Sequence, residues 1–264
     1  MMIKYFTGLL GAAALLLTSC PDGGAPAVIP GPSKDALLIL IDKTISSAPD
    51  AERQEVFRRG SAQAVLTTLQ NPGDVVQGHF IQQNTAGATA FLQSEPVPVF
   101  KAPERGGGKS LKDAERRYKA KLQTIQGICN KKLREAVQET NNTKTRLYTD
   151  LWGILEVGSR TFSRASYDTK TIHILSDLEE SMRGEGRRDF HNKPITSKSE
   201  AIAFAKADAQ TLQEVLDIDP TVLAGTKVVV YPPFNALEAS GFALNRYYWE
   251  ALFEAFGITE VVVK

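Results

Sequence analysis

The feature that most constrains the fold of this chain is an apolar run near its start that ends abruptly at an acidic residue. Residues 36–41 read Ala-Leu-Leu-Ile-Leu-Ile, and Asp42 follows directly. Six apolar residues without polar alternation are typical of a strand buried on both faces, as in the middle of a parallel sheet covered by helices. Such sheets bind ligands at the carboxyl ends of their strands. The sequence therefore predicts a functional site around Asp42.

Two hydroxyl residues follow Asp42 at a spacing of two, Thr44 and Ser46. A carboxylate and two hydroxyls in the turn between a strand and a helix offer the hard oxygen ligands that divalent cations prefer. This turn is therefore a candidate metal site.

Length and charge limit the possible domain organisation and partners. The chain has 264 residues, 42% of them hydrophobic, and a formal net charge of +1. This length suits one large domain, which we place at residues 34–264. A balanced charge gives no reason to expect nucleic acid as a partner.

The N-terminal residues have the composition of a bacterial secretion signal. Residues 1–19 combine an early Lys with a short apolar segment, and Leu17-Thr18-Ser19-Cys20 resembles a lipobox, in which the cysteine becomes lipidated. We predict a signal peptide at 1–19, then the lipidated Cys20 and a flexible Pro- and Gly-rich tether at 20–33. Lipidation would attach the chain to a membrane of the bacterial cell envelope, with its domain in the periplasm or the extracellular space. Cys129 would then be a buried thiol without a disulfide partner.

Later segments repeat the change from apolar to polar residues. Thr171–Asp177 is predicted to be a second buried strand that ends in an acid, and Thr149 stands at a predicted helix start. Residues 75–81 and 88–92 suggest a hairpin, and His79 within it is expected to be a partly exposed strand histidine. Two further strands, at 227–231 and 259–263, complete the pattern. The expected fold is α/β with three layers: a mostly parallel central sheet, helices on both faces, and one antiparallel edge strand.

A long helix is predicted over Leu111–Val137, with one apolar stripe and a basic opposite face. From Lys101 to Arg146 the chain has thirteen Lys or Arg residues and five acidic ones. Such a helix can lie against anionic headgroups, bind an acidic partner, or simply present a solvated face.

Together these segments resemble the von Willebrand factor type A (VWA) domain over residues 36–264, with the basic region at about 101–146 as an insertion. The first motif of that family's metal-ion-dependent adhesion site, Asp-x-Ser-x-Ser, corresponds to Asp42-Lys43-Thr44-Ile45-Ser46. The family's separate threonine corresponds best to Thr149, with Thr145 and Thr143 as alternatives. Its final acid corresponds to Asp177, although Leu178 stands where the family often has glycine.

The resemblance implies a Mg²⁺ site, with Mn²⁺ or Ca²⁺ as alternative occupants. The implied ligands are Asp42, Thr44, Ser46, Thr149 and Asp177. It also implies a non-enzymatic adhesion or interaction module, in which the metal takes an Asp or Glu carboxylate of a partner protein.

Three alternatives remain open at the level of sequence. Asp42 and Asp177 could only cap turns and helices. The basic helix could be the working surface of an envelope interaction protein. The acid after the first strand could be the nucleophile of a metal-dependent phosphoester hydrolase, although Thr44 stands where such an enzyme has its second carboxylate.

Overall fold

The computed structural model describes seven stretches of the chain: residues 33–44, 50–104, 108–139, 148–184, 186–216, 218–233 and 240–264. The predicted signal peptide, Cys20 and almost all of the tether lie outside these described residues. Ser46 and the two alternative threonines, Thr143 and Thr145, also lie outside them.

The described strands form one six-stranded sheet in the order β3-β2-β1-β4-β5-β6. The strands are β1 (Asp35–Asp42), β2 (Val75–Ile81), β3 (Leu92–Gln93), β4 (Thr169–Leu175), β5 (Lys227–Tyr231) and β6 (Glu260–Val263). All neighbouring pairs are parallel except β2 and β3, which are antiparallel. The prediction of one antiparallel edge strand is confirmed.

Strand β1 lies in the interior of the sheet because its side chains are apolar toward both faces. It pairs with β2 on one side and β4 on the other. Every residue from Ala36 to Asp42 is buried. An interior strand of this kind is covered by helices on both faces, and this is the position that the unbroken apolar run predicted.

Six described helices surround the sheet. They are α1 (Ala51–Thr68), α2 (Gly108–Gln138), α3 (Gly153–Phe162), α4 (Lys198–Leu216), α5 (Pro220–Leu223) and α6 (Ser240–Ala255). Their buried side chains fall into two core clusters, one on each face of the sheet. Leu37, Ile39 and Ile41 of β1 pack with α1 and α2, whereas Leu38 and Leu40 pack with α3, α4 and α6. The three-layer α/β architecture is therefore confirmed.

Residues 32–264 form a compact unit that contains the whole sheet and both core clusters. Such a unit has what it needs to fold without the preceding residues. None of the helices in the described stretches combines the length and the apolar character needed to cross a bilayer.

Three local predictions were wrong in detail. Strand β4 ends at Leu175, so Asp177 lies two residues beyond it. Helix α3 begins at Gly153 and not at Thr149, because the carboxylate of Asp150 accepts the amide hydrogen of Gly153 at 3.2 Å. His79 is buried and not partly exposed, since β2 is covered on both faces.

Candidate metal site at the carboxyl edge of the sheet

Asp42 ends β1 and is held in place by hydroxyl and amide donors. Its Oδ1 accepts hydrogen bonds from the backbone N–H of Thr44 at 2.9 Å and from the Thr44 hydroxyl at 2.6 Å. Its Oδ2 accepts a hydrogen bond from the hydroxyl of Ser176 at 2.7 Å. Asp42, Thr44 and Ser176 are all buried. The carboxylate is therefore fixed in one orientation at the edge of the sheet.

Thr149 reaches the same point from a distant part of the chain. Its hydroxyl donates to the hydroxyl oxygen of Thr44, with an Oγ1–Oγ1 distance of 3.0 Å. The two residues are 105 positions apart in the sequence. The structure thus brings Asp42, Thr44 and Thr149 together through hydrogen bonds.

The loop that carries Thr149 is held on both sides by backbone contacts. The N–H of Thr149 donates to the Ser181 hydroxyl at 2.9 Å, and its carbonyl accepts the N–H of Ser181 at 3.1 Å. The N–H of Asp150 donates to the carbonyl of Gln82, just beyond β2, at 3.1 Å. The position of Thr149 is therefore fixed by the hydrogen bonds of its loop. Thr149 does not cap a helix.

Asp177 belongs to the same edge. Burial and the neighbouring Asp42 carboxylate raise the pKa of Asp177 to about 8. Its Oδ1 accepts the N–H of Glu179 at 3.0 Å, so this carboxylate also stabilises a local turn. Two acids that disfavour each other's ionised form would both be stabilised by a cation between them.

Ser176 is the site residue that sequence reasoning missed. It lies beside Asp42 because Ile41 of β1 is in register with Leu175 of β4, which places the following residues side by side. Ser176 could have been identified from its position in the sequence, immediately after an apolar strand and before the predicted acid. Reading the two strand ends as neighbours would have paired Ser176 with Asp42.

Leu178 has a backbone conformation that usually requires glycine. Its φ is +60°, in the left-handed region that favours glycine. The side chain is only 1% exposed and belongs to the core on the face of α3, α4 and α6. The free energy of burying this leucine offsets the backbone strain of its conformation.

A buried glutamate anchors the segment between Thr149 and α3. Glu180 is fully buried, and its Oε2 accepts the N–H groups of Leu151 at 2.7 Å and Trp152 at 3.2 Å. Arg187 pairs with Glu180 at 2.5 Å and with Asp150 at 2.7 Å. Burial nevertheless raises the pKa of Glu180 to about 8. This network connects the loop after β4 to the loop that presents Thr149.

The side chain of Lys43, between Asp42 and Thr44, points away from the candidate site. Lys43 is 4% exposed, and its Nζ donates to the carbonyl of Val137 at 3.1 Å and to that of Glu139 at 2.5 Å. These carbonyls lie at the C-terminal end of α2, where carbonyl groups lack helical partners and favour a cation. The candidate metal turn and the long basic helix are thus joined through one side chain.

The donors at this edge fit a hard divalent cation. Mg²⁺ holds oxygen ligands at roughly 2.1 Å in octahedral geometry, which puts adjacent ligands about 3 Å apart. The 3.0 Å between the hydroxyl oxygens of Thr44 and Thr149 is an ordinary hydrogen-bond distance and is also compatible with that spacing. Across the described residues, no group of three or more His, Cys, Asp or Glu side chains could hold a metal. Any cation at this edge would therefore depend on hydroxyl oxygens as well as on the two acids.

The two buried histidines lie within strands and not at this edge. His173 of β4 contacts the Ser61 hydroxyl through Nδ1 at 3.0 Å, and burial lowers the pKa of His173 to about 4. His79 of β2 contacts Gln77 at 2.5 Å, and burial lowers its pKa as well. Both positions are consistent with neutral histidines inside the core.

Comparison of the sequence with family models and with curated proteins found no match. Several solved structures resemble the chain at low identity. The PilB minor pilin from Streptococcus sanguinis is 13% identical with a TM-score of 0.42, over 89% of this chain and 58% of that one. BatB from Bacteroides thetaiotaomicron is 13% identical with a TM-score of 0.36, over 87% of this chain and 90% of that one.

Proximal thread matrix protein 1 from the mussel byssus is 10% identical with a TM-score of 0.38. The match covers 85% of this chain but 46% of that protein, so the chain spans about half of its length. At such identities and scores, these similarities support no argument about the site or its function.

Proposed function

We propose that this chain is a lipid-anchored envelope protein whose VWA-like domain binds a divalent cation and, through it, a carboxylate of a partner protein. The observation that supports the proposal best is the convergence of Thr44 and Thr149, 105 residues apart, on one point beside Asp42. Turn capping would explain the contact between Asp42 and Thr44 alone. It gives no reason for the hydroxyl of Thr149 to meet that of Thr44 from another loop.

The proposed ligands are Asp42, Thr44, Thr149 and Asp177, together with Ser46, which is assigned from the sequence motif. Both oxygens of Asp42 already accept hydrogen bonds from hydroxyl or amide groups. Neutral hydroxyls would therefore supply much of the direct coordination, and the carboxylates would act partly through water. A cation held in this way keeps much of its positive charge and binds an external carboxylate readily.

The proposed activity is binding and not catalysis. Thr44 occupies the position where a phosphoester hydrolase that opens with two acids has its general acid. The buried histidines, His79 and His173, are held inside strands by Gln77 and Ser61. Hydrolysis of p-nitrophenyl phosphate that requires Mg²⁺ and is lost in Asp42→Asn would overturn this part of the proposal.

The first experiment is calorimetric titration of residues 33–264 with Mg²⁺ and Mn²⁺. We expect saturable binding that is lost in Asp42→Asn, which keeps the size of the side chain but removes its charge. The matched control is Asp35→Asn, at the opposite end of the same strand. Equal affinity in the wild type and Asp42→Asn, or no binding to the wild type, would contradict the proposed site.

The partner carboxylate is tested separately. An envelope extract from the source cells is passed over the immobilised domain with Mg²⁺ or with a chelator. We expect at least one protein to be retained by the wild type with Mg²⁺, and to be lost with the chelator and in Asp42→Asn. The lipid anchor is tested in whole cells, where Cys20→Ala should move the protein out of the membrane fraction.

A further inference from the structure

Helix α2 is longer than the strands of the sheet against which it packs. Its 31 residues correspond to about 46 Å, whereas the eight residues of β1 span about 26 Å. The C-terminal end of α2 is fixed at the carboxyl edge, because Lys43 binds the carbonyl of Val137 at 3.1 Å. The other end of α2 must therefore pass beyond the amino edge, where the parallel strands begin.

A contact of Gln126 marks where α2 passes that edge. Its Nε2 donates to the carbonyl of Leu69, directly after α1, at 2.9 Å. The next residue, Gln70, donates its N–H to Asp74, and Asp74 in turn accepts the N–H of Asp35 at the start of β1. Gln126 is thus level with the amino edge of the sheet.

The part of α2 before this level is called the overhang here and comprises residues 108–124. None of its residues is buried, whereas Ile125, Cys129, Leu133, Ala136 and Val137 further along the helix are. The expected apolar stripe is therefore fully buried only in the C-terminal half of the helix, and Leu122, near the end of the overhang, is partly buried against the same core. In the overhang, Tyr118 contacts the ring of Phe100 with 5.5 Å between centroids.

The overhang combines positive charge with exposed apolar side chains. It contains six basic residues and two acidic ones, a net charge of +4: Lys109, Lys112, Arg116, Arg117, Lys119 and Lys121 against Asp113 and Glu115. Leu111 of the overhang is 40% exposed, and Val99, next to Phe100, is 66% exposed. Basic residues flanking exposed apolar ones are typical of helices that bind at the surface of an anionic bilayer.

We propose that the overhang docks on the surface of an anionic lipid bilayer, with Leu111 and Val99 entering the headgroup region. A second copy of the chain is disfavoured as the occupant, because two overhangs of charge +4 would repel each other. An anionic bilayer accounts for both features with one surface, because its headgroups match the charge and its boundary with the acyl chains accepts the apolar side chains. This proposal concerns a different surface from the metal site and does not depend on it.

Chain connectivity agrees with this orientation. Residue 33 leads into β1 at the amino edge, the same edge that the overhang passes. The thirteen residues 21–33 can reach at most about 45 Å, so an anchor at Cys20 would keep this edge close to a membrane. The metal site at the carboxyl edge would then face away from the bilayer, where a partner can reach it.

The test is co-sedimentation of residues 33–264 with vesicles of phosphatidylcholine alone or with 30% phosphatidylglycerol. We expect binding to the anionic vesicles only, and weaker binding at higher salt. The test variant reverses three charges of the overhang: Lys112→Glu, Arg117→Glu and Lys119→Glu. It should weaken binding by about tenfold or more, since each basic residue near the surface contributes to binding.

The matched control reverses two lysines and one arginine on the exposed surface of the other half of α2: Lys131→Glu, Lys132→Glu and Arg134→Glu. It has the same net charge as the test variant and should bind the anionic vesicles more tightly. Equal losses in the two variants would mean that only overall charge matters and would overturn the proposal. Absence of binding to anionic vesicles would also overturn it, and binding to polyglutamate in that case would indicate an acidic protein.

Insertion of the apolar side chains gives a second measurement. Leu111→Cys and Ile128→Cys are each labelled with a dye whose emission shifts to the blue in apolar surroundings. Both positions are exposed on α2, but only Leu111 lies in the overhang. A blue shift with anionic vesicles is expected for the label at 111 and not for the label at 128. Equal responses at both positions would contradict docking through the overhang, and dimers in light scattering would indicate a second copy.

Discussion

The Nζ of Lys43 lies 3.1 Å from the carbonyl oxygen of Val137, so a residue of the candidate metal turn caps the C-terminal end of α2. Asp42 and Thr44 on either side of Lys43 face the site, while Lys43 itself reaches the helix. The alternation follows from the extended backbone at the end of β1, where successive side chains point to opposite sides. One short segment therefore serves both the site and the attachment of the long helix.

Replacing Lys43 by Met should destabilise the fold. The substitution removes the donor to two carbonyls in a buried place, and we expect the free energy of unfolding to fall by about 2 kcal/mol. Urea denaturation measures this loss. Lys131→Met on the exposed surface of α2 is the control and should change the stability by less than about 0.5 kcal/mol. Similar losses in the two variants would show that the Lys43 contacts contribute little.

Replacing Thr149 by Val should weaken cation binding while preserving the shape of the side chain. We expect the affinity for Mn²⁺ to fall by about tenfold or more, because the hydroxyl beside Thr44 is lost. Thr226→Val is the control, since Thr226 is also buried and its hydroxyl oxygen has no hydrogen-bond partner among the described residues. Calorimetric titration of both variants distinguishes the outcomes. An unchanged affinity in Thr149→Val would exclude this threonine from the site.

At Leu178, glycine should be tolerated better than alanine, the reverse of the usual order. Both substitutions lose the buried leucine side chain, and each should cost about 2 kcal/mol or more. Alanine keeps the strain of a positive φ, whereas glycine relieves it, so Leu178→Gly should be the more stable by up to about 1 kcal/mol.

Leu212, buried within α4, provides the control for Leu178. There the alanine variant should be more stable than the glycine variant by about 1 kcal/mol, because the backbone is helical. Urea unfolding of the four variants shows whether the alanine or the glycine variant is the more stable at each position. The same order at the two positions would mean that strain at Leu178 has no measurable effect.

Acidification should destabilise the protein through His173. Burial lowers the pKa of His173 in the folded state to about 4, below the ordinary value of 6.5. The unfolded chain therefore binds the proton more readily. The contribution of His173 to stability is complete above about pH 6.5 and declines as the pH falls toward 4, by about 3 kcal/mol in all.

Unfolding measured between pH 7 and pH 4 tests this expectation. The wild type should lose stability relative to His173→Gln as the pH falls, because the replacement cannot titrate. His191→Gln is the control, since the side chain of His191 is 69% exposed. Parallel stability curves for the wild type and His173→Gln would contradict the prediction.

Much of the fold could be predicted from the sequence because its signals are local. The apolar run before Asp42 predicted an interior strand, and the residue spacing that follows predicted the oxygen donors at its end. The antiparallel edge strand was also predicted, although only Leu92 and Gln93 form it. Asp42, Thr44, Thr149 and Asp177 were selected because each follows an apolar segment or precedes one.

Other features depend on contacts between distant segments. The pairing of Ser176 with Asp42 results from the register between β1 and β4, which no single segment encodes. Burial of His79 depends on the helices that cover β2. The left-handed backbone at Leu178 is stable only because the surrounding core encloses its side chain.

The sequence by itself determined the class of fold and the chemical type of the candidate site, since apolar periodicity and the choice of oxygen donors are properties of short segments. Only the tertiary structure decided that Thr149 meets Thr44, that Lys43 holds α2, and that the basic half of α2 extends beyond the amino edge. Those relationships depend on how strands and helices pack, because packing fixes distances between residues that the chain separates by tens of positions.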